Sequence, residues 1–105
     1  MKLYIAVLNE VPDHMVPVLV AHAVLGADME FQNDPSYIDW KNNSFRKVVV
    51  SVNAKEFAKI AATEGVYLAH ENTTLGGQKS CAVVCPRSVY PNVIKFAKLW
   101  QPYMP

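Results

Sequence analysis

Residues Val16–Ala27 read VPVLVAHAVLGA, twelve positions with a single polar side chain, His22. The run is shorter than the roughly 18–20 apolar residues that a membrane span requires. It reads instead as a helix buried in a soluble domain. Pro17 sits in its first turn, where a missing N–H costs little; Asp13 is the candidate cap and the end falls near Met29. Because the run is apolar on every side, both faces of the helix are expected to be covered.

The flanking segments extend this frame. Leu3–Leu8, LYIAVL, is a continuous apolar run, the mark of a strand buried on both faces. Residues 33–43, NDPSYIDWKNN, are polar and turn-rich, with a short helix near Ser36–Trp40. Lys47–Val52, KVVVSV, is a β-branched strand. Asn53 caps the helix AKEFAKIAATE, with Phe57, Ile60 and Ala61 on one face and Gly65 at its end. Val66–Ala69 and Ser80–Cys85 read as two further strands, joined by the loop HENTTLGGQK. Pro91 opens a last helix, lined by Val93, Phe96, Ala97 and Trp100 and stopped by Pro102.

Alternating strands and helices predict a sheet with helices on both faces. The ten residues between the third and fourth strands are too few for a parallel crossover, so that pair is expected to be antiparallel. The expected fold class is α/β: a three-layer α/β/α sandwich with a mixed four-stranded sheet, in one domain over residues 1–105.

Composition fits a globular domain, since 51% hydrophobic and 18% charged residues argue against disorder. Ten basic and nine acidic side chains give a net charge of +1, so the chain as a whole is not pulled toward nucleic acid or anionic membrane. The start, MKLYIAVL, has too short an apolar run for a secretory signal. Cys81 and Cys85 lie in one strand, roughly 13 Å apart at a strand's rise, which excludes a mutual disulfide and fits buried thiols of a cytoplasmic protein.

Two places carry candidate chemistry. His22 is either a neutral core histidine or a general base aimed into a cleft beyond the carboxyl ends of the strands. The loop from His70 packs a histidine, a carboxylate, an amide, two hydroxyls and two glycines into eight residues, HENTTLGG. Its glycine pair matches no phosphate-binding fingerprint. Lys41, Arg46 and Lys47 read as a solvated basic edge or as phosphate contacts, and Trp40 and Tyr37 as packing or as a base-stacking surface. No metal-ligand spacing, serine elbow or paired carboxylates are present, and no cofactor is implied.

Taken in order, these elements resemble the type II peptidyl-tRNA hydrolases over nearly the whole chain. The matching pieces are AHAVLGA (Ala21–Ala27), Trp40, KVVV (Lys47–Val50), AKEFAKIAATEGV, HENTT (His70–Thr74), Cys85-Pro86 and FAKLW (Phe96–Trp100). The resemblance implies cleavage of the ester joining a peptide to tRNA without a metal, and often a homodimer. It implies that His22 stands at the family's helix histidine, Thr74 at its loop threonine and His70 at its loop aspartate, with Glu71 adjacent. In that scheme His22 or His70 activates water and Glu71 orients the imidazole. Thr74 and Asn72 stabilise the oxyanion, while Lys47 and Trp40 contact substrate. The chain departs from the pattern at Met15 and Leu19, where the family has a lysine and a glutamine, and at Glu10–His14, where it has lysines. Those changes place Glu10 and Asp13 where phosphates are expected. A catalytically silent or repurposed binding module on the same fold is therefore the alternative expectation.

Overall fold

The computed structural model describes residues 1–71 and 78–102; of His70, Glu71 and Gln78 the backbone alone is described. Strand β1 (Leu3–Leu8) is followed by a 3-10 turn at Asp13–Met15, helix α1 (Val16–Phe31) and helix α2 (Pro35–Asp39). A π-helical turn over Trp40–Ser44 leads to β2 (Lys47–Val52) and α3 (Ala54–Ala61). Strands β3 (Val66–Glu71) and β4 (Gln78–Val84) come next, then a short α4 (Asn92–Lys95) and β5 (Lys98–Leu99).

The apolar run at the start becomes the middle of the sheet. The strand order is β3-β4-β1-β2-β5. β1 pairs in parallel with β2, from Leu3 opposite Lys47 to Leu8 opposite Val52, and antiparallel with β4, from Tyr4 opposite Val84 to Val7 opposite Cys81. With both edges bonded and both faces covered, Leu3, Ile5, Ala6 and Val7 are almost fully buried. β3 and β4 are antiparallel, as the short connection requires.

The sheet has five strands, not the expected four. The helix that was to run from Pro91 to Pro102 is confined to Asn92–Lys95. Pairing wins over further helix because β2 otherwise presents unpaired backbone groups at the sheet's edge. Val50 and Ser51 pair with Leu99 and Lys98, and the Trp100 N–H donates to the Val49 carbonyl at 2.9 Å. Phe96, expected on the packed side of a helix, is exposed.

Helix α1 also differs from expectation, because only one of its faces is covered. Val16, Leu19, Ala23, Gly26, Ala27 and Phe31 are buried. Val18, Leu25 and Met29 are 59–64% exposed and, with exposed His22, form an outward stripe at helical spacing. Apolar composition had masked this division, since nearly every residue on either side is hydrophobic. The buried side owes its close approach to small residues: a Cβ at Gly26 would lie 2.7 Å from Cε2 of Tyr67, on β3.

Elsewhere local rules are followed closely. The Asn53 side chain accepts from the Glu56 N–H and the Glu56 carboxylate accepts from the Asn53 N–H, both at 2.8 Å, closing a capping box on α3. Asp34 caps α2 by accepting from the Ser36 and Tyr37 N–H groups. Gly65, at φ 74°, turns the chain into β3.

The Gly26 contact gives a test. Gly26→Ala adds helix propensity of about 1 kcal/mol but overpacks against the Tyr67 ring at a cost of about 1–3 kcal/mol. Urea denaturation is expected to show a net loss of stability. The loss should shrink when Tyr67→Leu is added, and additive effects of the two changes would argue against the contact.

Candidate functional site

Two clefts open at the end of the sheet where β1 and β2 begin, beside a third that is lined by Asp34, Glu64 and Gly65 and shares Arg87. The first, of about 400 Å³, lies between α1 and the turn that follows α2. Ala21, Val24 and Leu25 form its helix side, and Tyr37, Trp40 and Phe45 its aromatic side. The π-helical turn creates that aromatic side. Its last bond runs from the Phe45 N–H to the Trp40 carbonyl at 2.7 Å, and Phe45 closes it in the left-handed conformation, φ 59°. Glycine ordinarily takes such a position. Here a phenylalanine ring is held against Trp40, with centroids 5.5 Å apart and planes 22° from parallel. Trp40 is itself buried, and its indole N–H donates to the Arg46 carbonyl at 2.8 Å.

Lys47 belongs to the same cleft. Its ammonium lies 3.2 Å from the centre of the Phe45 ring and donates to the Phe45 carbonyl. Lys41, also at the rim, is neutralised: its ammonium donates to Asp28 Oδ1 at 2.7 Å, and the Tyr37 hydroxyl donates to the same oxygen at 2.8 Å. The Lys41 bond, then the Tyr37 bond, hold the Asp28 carboxyl below the usual carboxylate range. Burial, and then Asp28, push the Tyr37 phenol up.

The second cleft, of about 450 Å³, is lined by Lys2, Arg46, Arg87 and Lys95, together with Tyr4, Ser88 and Tyr90. No carboxylate lines it. Tyr90 assembles this cleft. Its hydroxyl accepts from the Lys2 N–H at 3.1 Å and the Arg87 N–H at 3.3 Å, donates to the Lys2 carbonyl, and its ring meets Tyr4 edge-on. The start of β1 is thereby tied to the chain leaving β4. The Arg87 guanidinium is held by the backbone carbonyls of Glu64, at 2.6 Å, and Cys85, so it is fixed in place without losing its charge. Among the described residues the one ion pair is Lys41–Asp28, so these four cations have no acidic partner.

The expected site residues are therefore only partly united. Trp40 and Lys47 share the first cleft, Trp40 as a buried wall and Lys47 as a cation with no carboxylate partner among the described residues. Lys41, Arg46 and Lys47 are all exposed, as a solvated basic edge requires, but they are divided: Lys41 pairs with Asp28 at the rim of the aromatic cleft, Lys47 lines that cleft, and Arg46 lines the basic one. His22 is not a core histidine. It is exposed on α1, its imidazole makes no hydrogen bond to another described residue, and it lines neither cleft. The side chains of His70 and Glu71, and Asn72 and Thr74 entirely, lie outside the described residues. Sequence reasoning missed Lys2, Arg87 and Lys95, which are 93 positions apart at the extremes and give no local motif. The free thiols are buried, as expected. Burial pushes Cys81 up to about 11 and Cys85 up to about 12, so neither is a ready nucleophile near neutrality.

No family model matches the chain, and no curated protein matches it. No helix among the described residues is long and apolar enough to cross a membrane.

Asp28 provides a pH test. A carboxyl whose folded pKa is depressed adds stability above its unfolded value of about 3.9. That contribution fades as the pH falls through the lower folded value. For a pair this exposed the contribution is about 0.2–1 kcal/mol. Wild type is expected to exceed Asp28→Asn in stability by that order at pH 7. Urea midpoints measured from pH 7 to 2.5 should converge below pH 4, and a constant gap would contradict the pairing.

Proposed function

We propose that this protein is a binding module whose partner is a polyanion, with tRNA as the candidate class that the resemblance implies. The observation that carries this reading is the cleft of Lys2, Arg46, Arg87 and Lys95, with no carboxylate in its lining. A chain of net charge +1 has gathered four of its ten cations there, while Glu10 and Asp13 follow β1 at the sheet's other end. The turn where the resemblance expects phosphate-binding lysines is thus acidic, and the positive field lies at the opposite end. Cations of one sign lining a cleft concentrate their field on an approaching anion.

The reading includes the three-layer arrangement. The connection from β1 to β2 moves one way across the sheet and the connection from β2 to β3 moves back across β1 and β4. Right-handed crossovers in opposite directions put α1 and α3 on opposite faces.

The hydrolase reading keeps one support. β1, β2 and β3 run in the same direction, so the segment carrying Thr74 leaves from the carboxyl end of β3, at the edge where α/β sheets form clefts. Against it, His22 faces solvent on α1.

Salt-dependent binding tests the module. Each neutralised phosphate contributes roughly −0.7 to −0.9 to the slope of log K against log salt, so four contacts give about −3. Fluorescence anisotropy with labelled tRNA should return that slope. The double variant Arg46→Gln, Lys95→Gln should flatten it by about 1.5, and an unchanged slope would move the partner elsewhere. A parallel assay on N-blocked aminoacyl-tRNA is expected to show no ester cleavage above buffer. Cleavage that is lost in Thr74→Ala with the fold intact would restore the hydrolase.

A further inference from the structure

The cleft between α1 and the Trp40 turn is not needed for polyanion binding, yet it is built as a pocket. We propose that it binds a small aromatic carboxylic acid carrying one negative charge. Its volume, about 400 Å³, falls in the range of ligand sites that are mostly apolar with a few placed polar groups. The Phe45 ring and, on the α1 side, Val24 and Leu25 offer flat and branched apolar surface to a ring system of one or two rings.

The charge follows from counting the cations. Lys41 is taken by Asp28 at 2.7 Å, whereas Lys47 has no carboxylate partner among the described residues. One ammonium with no carboxylate beside it, lying over the Phe45 ring and donating to the Phe45 carbonyl, selects a ligand with one anionic group beside its apolar body. The backbone is built toward the same end. Phe45 is the one described non-glycine residue with positive φ, and it is 56% exposed. A bulky residue in that conformation is strained, and such strain recurs at ligand clamps. Here the strain holds an exposed ring at the lip of the pocket, where glycine or asparagine would make the same turn at lower cost.

The test uses the full chain and two probes of equal shape, 1-naphthylacetate and the neutral 1-naphthaleneethanol, followed by amide and indole NMR shifts. Saturable shifts are expected at residues 21–28 and 37–47, with the acid bound at least tenfold tighter than the alcohol. Lys47→Met should remove that tenfold preference and leave the alcohol unchanged. Ala21→Trp, on the exposed side of α1, should block both probes while the spectrum stays dispersed. No saturable shift in the folded wild type would overturn the proposal, as would binding indifferent to both substitutions. Shifts centred on Arg87 and Tyr90 would also overturn it, by showing the acid to be a counter-ion of the basic cleft.

Discussion

Everything in this molecule is arranged around β1, a strand hydrogen-bonded along both edges. Its parallel bonds run to β2 along the whole strand and its antiparallel bonds to β4 from Tyr4 to Val7. A strand so placed must be apolar on both faces, and Leu3–Leu8 is. The parallel partner forces a long return path, which α1, α2 and the π-helical turn provide. That return ends at Arg46 and Lys47, beside the beginning of β1. The Arg46 carbonyl accepts both the Leu3 N–H and the Trp40 indole N–H, so the sheet and the aromatic turn share one anchor. Both clefts open at that junction because the pairing of β1 with β2 brings it together.

The two clefts divide a short piece of sequence between them. Arg46 lines the basic cleft and Lys47 the aromatic one. Consecutive residues entering a strand point to opposite sides, so one dipeptide serves two chemistries. The Tyr90 hydroxyl, with three backbone partners, performs for the basic cleft what the Trp40 indole performs for the other. In each case an aromatic side chain secures the backbone and leaves the neighbouring cations free of carboxylates.

Much of the fold was legible because local signals agreed with global packing. The β-branched run at Lys47–Val52, the Asn53–Glu56 capping box and the short link between β3 and β4 each follow a rule that acts within a few residues. The errors arose where one composition serves two structures. Val93 in α4, Ala97 before β5 and Trp100 after it pack on the core as they would in one helix, so the pattern could not separate β5 from a longer α4. In α1 the hydrophobic residues run all round, and only the neighbours decide which side is covered. The basic cleft was invisible for another reason: net charge sums over the chain, whereas Lys2, Arg46, Arg87 and Lys95 are joined by topology alone. The resemblance to a hydrolase family directed attention to His22 and to the loop after β3. Of these, His22 is now placed on an open helix face.

The brevity of β5 has a consequence for how copies of this chain meet. An edge strand invites another sheet to continue it, and a long, flat, apolar edge is an invitation to fibrils. Here the outermost strand is two residues long, includes Lys98, and is followed after two residues by Pro102, which has no N–H to offer. The ladder is finished at that side as a hem finishes cloth. So short an edge, with a lysine on it and a proline close behind, offers another sheet little ladder to continue.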